Sequence, residues 1–363
     1  MADDDRPVKP ANKFVDHGLG LLLFALIGRF LSWAATQEGM LLQWGLALAG
    51  TLVGINVFGH VASAAGQYIS NARAGAGIPV DCQRPLAGKV AQRKWKDQSW
   101  QLAIHVSMSL WEVRLLAAQG GGWWDDPATC FAPCPATLVA EYEGGGSTWE
   151  LRLFYVVQLA LWMWTGVSCK LFEERRKDYM EMMAHHVMTV ALVLNSLMNA
   201  ELPIGLVVLA VHDTSDVFLD LMKMANYLKV EGRHGFFITE ACFVLNTAVT
   251  WPYMRLYRFP AFVVQSVVFG YHRLCTTNGH AGDPWANPTP DIPGSWASSS
   301  ALLTGLFLLH VFWWGLMIRI AVKLVMGEKS HEAGDAVYEG SMQRSTLAAG
   351  TRGTRGGKGK KLA

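Results

Sequence analysis

Apolar residues in this chain gather into blocks of roughly 20, the length a helix needs to cross the hydrocarbon of a bilayer, with short polar breaks between them. About eight blocks reach that length: 18–36, 40–66, 100–118, 149–172, 179–199, 203–228, 235–257 and 299–326. The pattern predicts an all-α polytopic membrane protein with about eight transmembrane helices. The first block follows an acidic start at Asp3, Asp4 and Asp5, and no small-residue cleavage site follows it. It is therefore expected to stay as a helix and not to leave as a signal peptide.

Composition agrees with a membrane solvent. Charged residues make up 17% of the chain and the mean hydropathy is +0.20, whereas a soluble domain carries about a quarter charged residues. Many of the Trp residues sit near the ends of apolar blocks, where an amphipathic ring rests at headgroup level. The net charge of +2 matters less than where Lys and Arg fall, and no nucleic-acid partner is expected. Basic residues from Arg84 to Lys96 place that loop in the cytosol by the positive-inside rule. Eight spans threaded from there put both termini, the Glu173–Asp178 turn and the Lys229–His234 turn on the same side, and each of these carries Lys or Arg. The opposite side receives 119–147, which has no Lys or Arg, and the Pro- and Gly-rich loop 258–296.

The ends and the cysteines add less. Residues 1–16 read as a cytosolic N-terminus, and 329–363 as a basic cytosolic tail with too little apolar surface to offset the entropy of ordering. Lys360 and Lys361 resemble a dilysine retrieval signal of the endoplasmic reticulum, or are simply the end of a basic tail. The six cysteines lack zinc spacings. Cys130 and Cys134 fall in a loop on the oxidising side, where a disulfide or two free thiols are both open readings. Asn287-Pro288-Thr289 has Pro at the position that forbids glycosylation.

Ionisable groups inside apolar helices are expensive and mark functional paths, and two neighbouring blocks hold most of them. The fifth contains His185 and His186. The sixth carries Asp213, Asp216, Asp220, Lys223 and Tyr227 at steps of three or four, a single stripe along one helix face. His212 lies four residues before Asp216, on the same side. Three carboxylates on one membrane helix must face water or partners and not lipid. A purely structural polar network between the two helices is the plain alternative. A di-iron centre needs more histidines than are present, and Met182 stands where an H-x-x-H-H box would need His, so no metal is expected. Acyl transfer needs only the groups at hand: an imidazole nucleophile or base, with a carboxylate to fix its tautomer. His60, His105 and His310 stand singly and read as ordinary helix contacts, and Met180, Met182 and Met183 as adaptable packing.

The stretch 178–227 closely resembles the Lag1 motif of ceramide synthases, within the TLC domain. The match lies in His185-His186 with Thr189, Ile204-Gly205, His212-Asp213-x-x-Asp216, and Lys223-Met224-x-Asn226-Tyr227. Looser similarity extends the domain over about 90–328, leaving two N-terminal helices, 17–66, outside it. Glu201-Leu202-Pro203 departs from the family, which usually has a basic residue beside the Ile-Gly step. The resemblance implies a six-helix barrel around a long lipid cavity, in an endoplasmic reticulum membrane. It also implies transfer of a fatty acyl group from acyl-CoA to a sphingoid base, with no cofactor beyond the acyl-CoA co-substrate. His185 would carry the acyl group as an acyl-imidazole, or would act as base for direct attack by the amine. His186 and His212 would deprotonate the ammonium, with Asp213 and Asp216 orienting them. Asp220, Lys223, Asn226 and Tyr227 would contact substrate, and Arg175 and Arg176 would hold CoA phosphates. Membrane lipid is an expected partner, and a homodimer or hetero-oligomer is compatible with the family. A non-catalytic lipid sensor or translocon-associated protein of the same fold is the alternative.

Overall fold

The computed structural model describes residues 12–72, 86, 89–118, 121–131, 147–172, 177–199, 201–230, 237–270, 295–328, 333–334 and 337. Each apolar block corresponds to one long helix: α1 (Lys13–Ala34), α2 (Met40–Ala72), α3 (Lys89–Ala118), α5 (Ser147–Leu171), α6 (Tyr179–Met198), α7 (Leu202–Tyr227), α8 (Ile238–Val244 and onward) and α9 (Ser295–Val325). A short α4 (Gly122–Asp125) and a 3-10 turn (Pro127–Phe131) lie between α3 and α5. From Leu245 the coil of α8 widens to the π type, through Leu245–Thr250, Pro252–Val264 and Ser266–Gly270. Pro252 and Pro260 lie in this stretch, and neither has an N–H to donate to a tighter helical ladder.

The protein is an all-α polytopic membrane protein. By length and composition α1, α2, α7 and α9 are apolar enough to cross a membrane. Many polar residues of the remaining long helices are buried inside the bundle, including Glu112, Gln158, His185 and Arg255. The lipid-like outer faces are plain on α2, where Leu42, Leu46, Val53, Val57 and Val61 are exposed along one helix.

Local chemistry sets how the helices meet. Asn12 caps α1 by accepting a hydrogen bond from the Phe14 N–H at 3.1 Å. Pro203 sits in the first turn of α7, where its missing N–H costs nothing. Only a short turn joins α6 to α7, so the two run antiparallel. At that end the Tyr155 hydroxyl donates to the Leu202 carbonyl at 2.8 Å and contacts Ser196 Oγ at 2.9 Å. Gly205 is required there, because a Cβ would overlap the Tyr155 hydroxyl and meet Ser196 Oγ at 2.7 Å. On the outer side, Gly66 leaves room on α2 for the Trp95 indole of α3, which donates to the Ala62 carbonyl at 2.8 Å. The first helix is tied to the bundle by Asp16, which accepts from Lys170 Nζ at 2.6 Å and from the Tyr179 hydroxyl at 2.7 Å.

At the α4 end, Arg258 of α8 stacks on the Trp124 ring at 3.9 Å and donates to the Trp124 carbonyl. Cys130 is buried beside this contact region, and burial, helped by Asp126, pushes its thiol up. Cys134 lies outside the described residues, as do Lys360 and Lys361, nearly all of the 329–363 tail, and most of the loops 119–147 and 258–296.

Candidate active site

The six helices α3 and α5 to α9 enclose one cavity of about 230 Å³, with lining residues from all six. It occupies the half of the bundle where α6 begins and α7 ends. The stripe on α7 faces into it: Asp213, Asp216, Asp220, Lys223, Asn226 and Tyr227 all line the space. A second, narrow and mostly apolar lobe of about 60 Å³ continues toward the opposite end, along Thr189, Val193 and Ser196 of α6 and Ile204, Gly205 and Val208 of α7. Trp162, His185 and Asp216 line both lobes. His185 therefore stands where the carboxylate-bearing chamber meets the narrower apolar tunnel, with His186 on the chamber side.

His185 is 8% exposed and His186 7%, and His185 lines the cavity. The His185 ring is held edge-on between Trp162 and Trp313, at centroid distances of 5.6 and 5.5 Å, with His186 at 5.7 Å. Neither ring makes a hydrogen bond to a described residue, and both Nδ1 atoms are buried without partners. An imidazole positioned by aromatic walls, with its nitrogens unspent, is a usable nucleophile or base.

His212 is arranged differently. Its Nδ1 lies 2.6 Å from the Val208 carbonyl and its Nε2 3.1 Å from His310 Nε2. The carbonyl can only accept, so His212 carries its proton on Nδ1, and His310 must donate from Nε2. Both ring nitrogens of His212 are thus committed inside the protein. His310, which reads as a lone helix contact in the sequence, is fully buried and part of this pair.

The carboxylates also have partners the sequence did not point to. Asp213 accepts from Gln158 Nε2 at 2.8 Å, and Gln158 also reaches Glu112 at 3.4 Å. Asp216 pairs with Arg255 at 2.6 Å. Asp213 and Asp216, expected to orient the histidines, have other neighbours here: Asp213 is bonded to Gln158 and Glu112, and Asp216 forms an ion pair with Arg255. The carboxylate that does hold an imidazole is Asp220, which contacts His105 Nδ1 at 2.7 Å and accepts from Gln98 Nε2 at 2.5 Å. His105 is likewise not a stray contact, since it lines the cavity. The residues missed were Gln98, Glu112, Gln158, Arg255, His105 and His310, and one signal was available: each is a polar residue within or beside an apolar block. Arg175 and Arg176 lie outside the described residues. Among the described residues no cluster of three or more His, Cys, Asp or Glu is placed to hold a metal ion.

Residues 94–319 match the TLC domain family. The chain is 28% identical to ASC1-like protein 1 of Oryza sativa subsp. japonica over 249 residues, which is 69% of this chain and 74% of that relative. It is 29% identical to Ceramide synthase LOH2 of Arabidopsis thaliana over 179 residues, 48% of this chain and 54% of the relative. Against Ceramide synthase 5 of Homo sapiens the identity is 26% over 240 residues, 66% of this chain and 53% of the relative.

Proposed function

The chain belongs to the TLC domain family, and from that premise we propose that it is a ceramide synthase, transferring a fatty acyl group from acyl-CoA to the amine of a sphingoid base. The observation that carries this reading is the place of His185, at the junction of a carboxylate-lined chamber and an apolar tunnel. The tunnel suits an acyl chain, and the chamber suits a polar amino-diol head and a thioester. Relatives named ceramide synthase support the same assignment.

In the proposed sequence an unspent ring nitrogen of His185 attacks the thioester carbonyl. A C–N bond forms, the C–S bond breaks, and CoA leaves as a thiolate that takes up a proton. The sphingoid amine arrives as an ammonium and is not a nucleophile until it loses a proton. His186, whose ring makes no hydrogen bond to a described residue, is better placed than His212 to take it. The amine then attacks the acyl-imidazole, the amide forms, and His185 is released. Asp213 and Asp216 put carboxyl groups on the chamber wall that can accept from the incoming ammonium, while Asp220, Lys223, Asn226 and Tyr227 line the same chamber. No cofactor is needed for these steps. The chamber faces the cytosol in an endoplasmic reticulum membrane, where CoA is available, and Arg175 and Arg176 are assigned to its phosphates.

The test is an amide-forming assay on purified protein with sphinganine and a panel of acyl-CoAs, run beside His185→Ala and read together with intact mass. The expected result is ceramide from the wild type, one added acyl mass when the base is omitted, and loss of both in His185→Ala. Ceramide without an adduct would move the mechanism to direct attack by the amine. No product from any acyl-CoA would reject the enzyme and favour a lipid sensor or translocon-associated role.

A further inference from the structure

Both halves of the proposed reaction pass through a tetrahedral state in which the acyl carbonyl oxygen becomes an oxyanion. In a dry site, a donor already aimed at that oxygen is among the largest contributions to rate. None of the residues named above for His185 chemistry supplies one. The donors around the histidines are mostly spent: the Trp313 indole donates to Asp178 at 3.1 Å, the Trp251 indole to the His310 carbonyl at 3.2 Å, and the Gln158 amide to Asp213.

Arg255 is different. It is 2% exposed, on α8, and lines the same chamber as His185. Its Nε donates to Ser215 Oγ at 2.7 Å, and its Nη2 donates to the His212 carbonyl at 3.2 Å and pairs with Asp216 at 2.6 Å. The guanidinium also lies 4.5 Å from the centre of the Trp251 ring. These contacts fix the plane of the group and use two of its three nitrogens. The third, Nη1, carries two N–H donors and makes no hydrogen bond to a described residue. Asp216, its ion-pair partner, lies with His185 at the junction of the two lobes. Trp162 at the same junction offers a neutral indole donor, but a charged donor binds an anion about twice as strongly.

We infer that Arg255 stabilises the acyl oxyanion through Nη1, and is thus a catalytic residue of the reaction proposed above, on which this inference rests. No proton moves in this role. As the nucleophile adds, the C=O π pair moves onto oxygen and is met by the two Nη1–H groups; as the leaving group departs, the C=O bond reforms and the contact weakens.

The experiment compares wild type, Arg255→Lys and Arg255→Ala, each full length in detergent, by kcat, KM for acyl-CoA, rate of acyl-adduct formation, and melting temperature. Lysine can keep the charge opposite Asp216 but has no second nitrogen to offer the cavity. The expected result is a fall in kcat of about 10²–10³-fold in both variants, the loss seen for a single oxyanion donor, with KM and the Arg255→Lys melting temperature unchanged. Low millimolar guanidine should partly restore Arg255→Ala. If Arg255→Lys works as well as wild type, or if both variants fail to fold, Arg255 only pins α7 to α8 and the inference is overturned. If the wild type itself forms no amide, the reading of function fails and takes this one with it, a result distinct from an active wild type with an equally active lysine variant.

Discussion

His212 and His310 show how much of a buried site depends on which nitrogen carries the proton. With the Val208 carbonyl fixing Nδ1–H on His212, its Nε2 is an acceptor that His310 satisfies from 3.1 Å. Replacing His310 by Phe leaves that acceptor buried and unpaired, a penalty of about 1–3 kcal/mol. The expected outcome is a lower melting temperature for His310→Phe, largely recovered in His310→Gln, whose amide can donate to the same nitrogen; thermal unfolding in detergent measures both. At this scale the sequence was a good guide to which residues gather and a poor one to who bonds whom. Asp213, Asp216, Asp220, Lys223, Asn226 and Tyr227 come together because helical spacing alone puts them on one face. That Arg255 takes Asp216 and His105 takes Asp220 depends on how α8 and α3 are rotated against α7. No local pattern encodes that rotation, and a lone His105 or Arg255 in an apolar block carries no sign of its partner.

At the scale of elements, the proposed function makes the tunnel beside α6 a gauge of acyl length. Its lining runs from His185 to Ser196, which at 1.5 Å per residue is about 16 Å along the helix axis. At that end its lining includes Tyr155, Ser196 and Gly205, which pack together between α5, α6 and α7. Thr189 faces this space about one turn beyond His185. Thr189→Phe is expected to fill the tunnel partway and shift the acyl-CoA preference to shorter chains without abolishing transfer of the shortest, as read by product profiles from an equimolar acyl-CoA mixture. An unchanged profile would place the acyl chain elsewhere. A second element-level device is the clasp of α1 on α5 and α6 through Asp16. Lys170→Ala removes the cation from a carboxylate that is 3% exposed, and breaking a buried pair from one side costs about 3–5 kcal/mol. The loss should appear as a lower melting temperature and early proteolysis near α1. Asp16 is also the clearest case of a polar contact hidden from sequence, since its partners lie more than 150 residues away.

Over the whole molecule, the order of the long helices among the described residues was legible because bilayer thickness fixes block length, whereas their ends were not. α3 starts at Lys89, well before its apolar block, since Trp95 and Gln98 are buried against neighbours and carry the helix onward. α8 runs on to Gly270 past Arg258, because stacking on Trp124 satisfies a charge that would otherwise mark a boundary. The orientation of the bundle follows from charge. Arg93, Lys94 and Lys96 gather at the start of α3, the chamber end, while the α4 end carries Asp125 and Asp126. Because cytosolic segments retain Lys and Arg, a single cysteine at the exposed position of Arg93 should react with a membrane-impermeant maleimide added to the cytosolic face of intact microsomes. One at exposed Asp125 should react only after the membrane is opened, both measured in a background without the native cysteines. That result would set the chamber toward the CoA pool, and with it His185 within reach of a thioester delivered from the cytosol. The reverse labelling would leave the chamber facing a compartment without the donor, and the charge argument for this topology, along with the proposed entry route, would have to be abandoned.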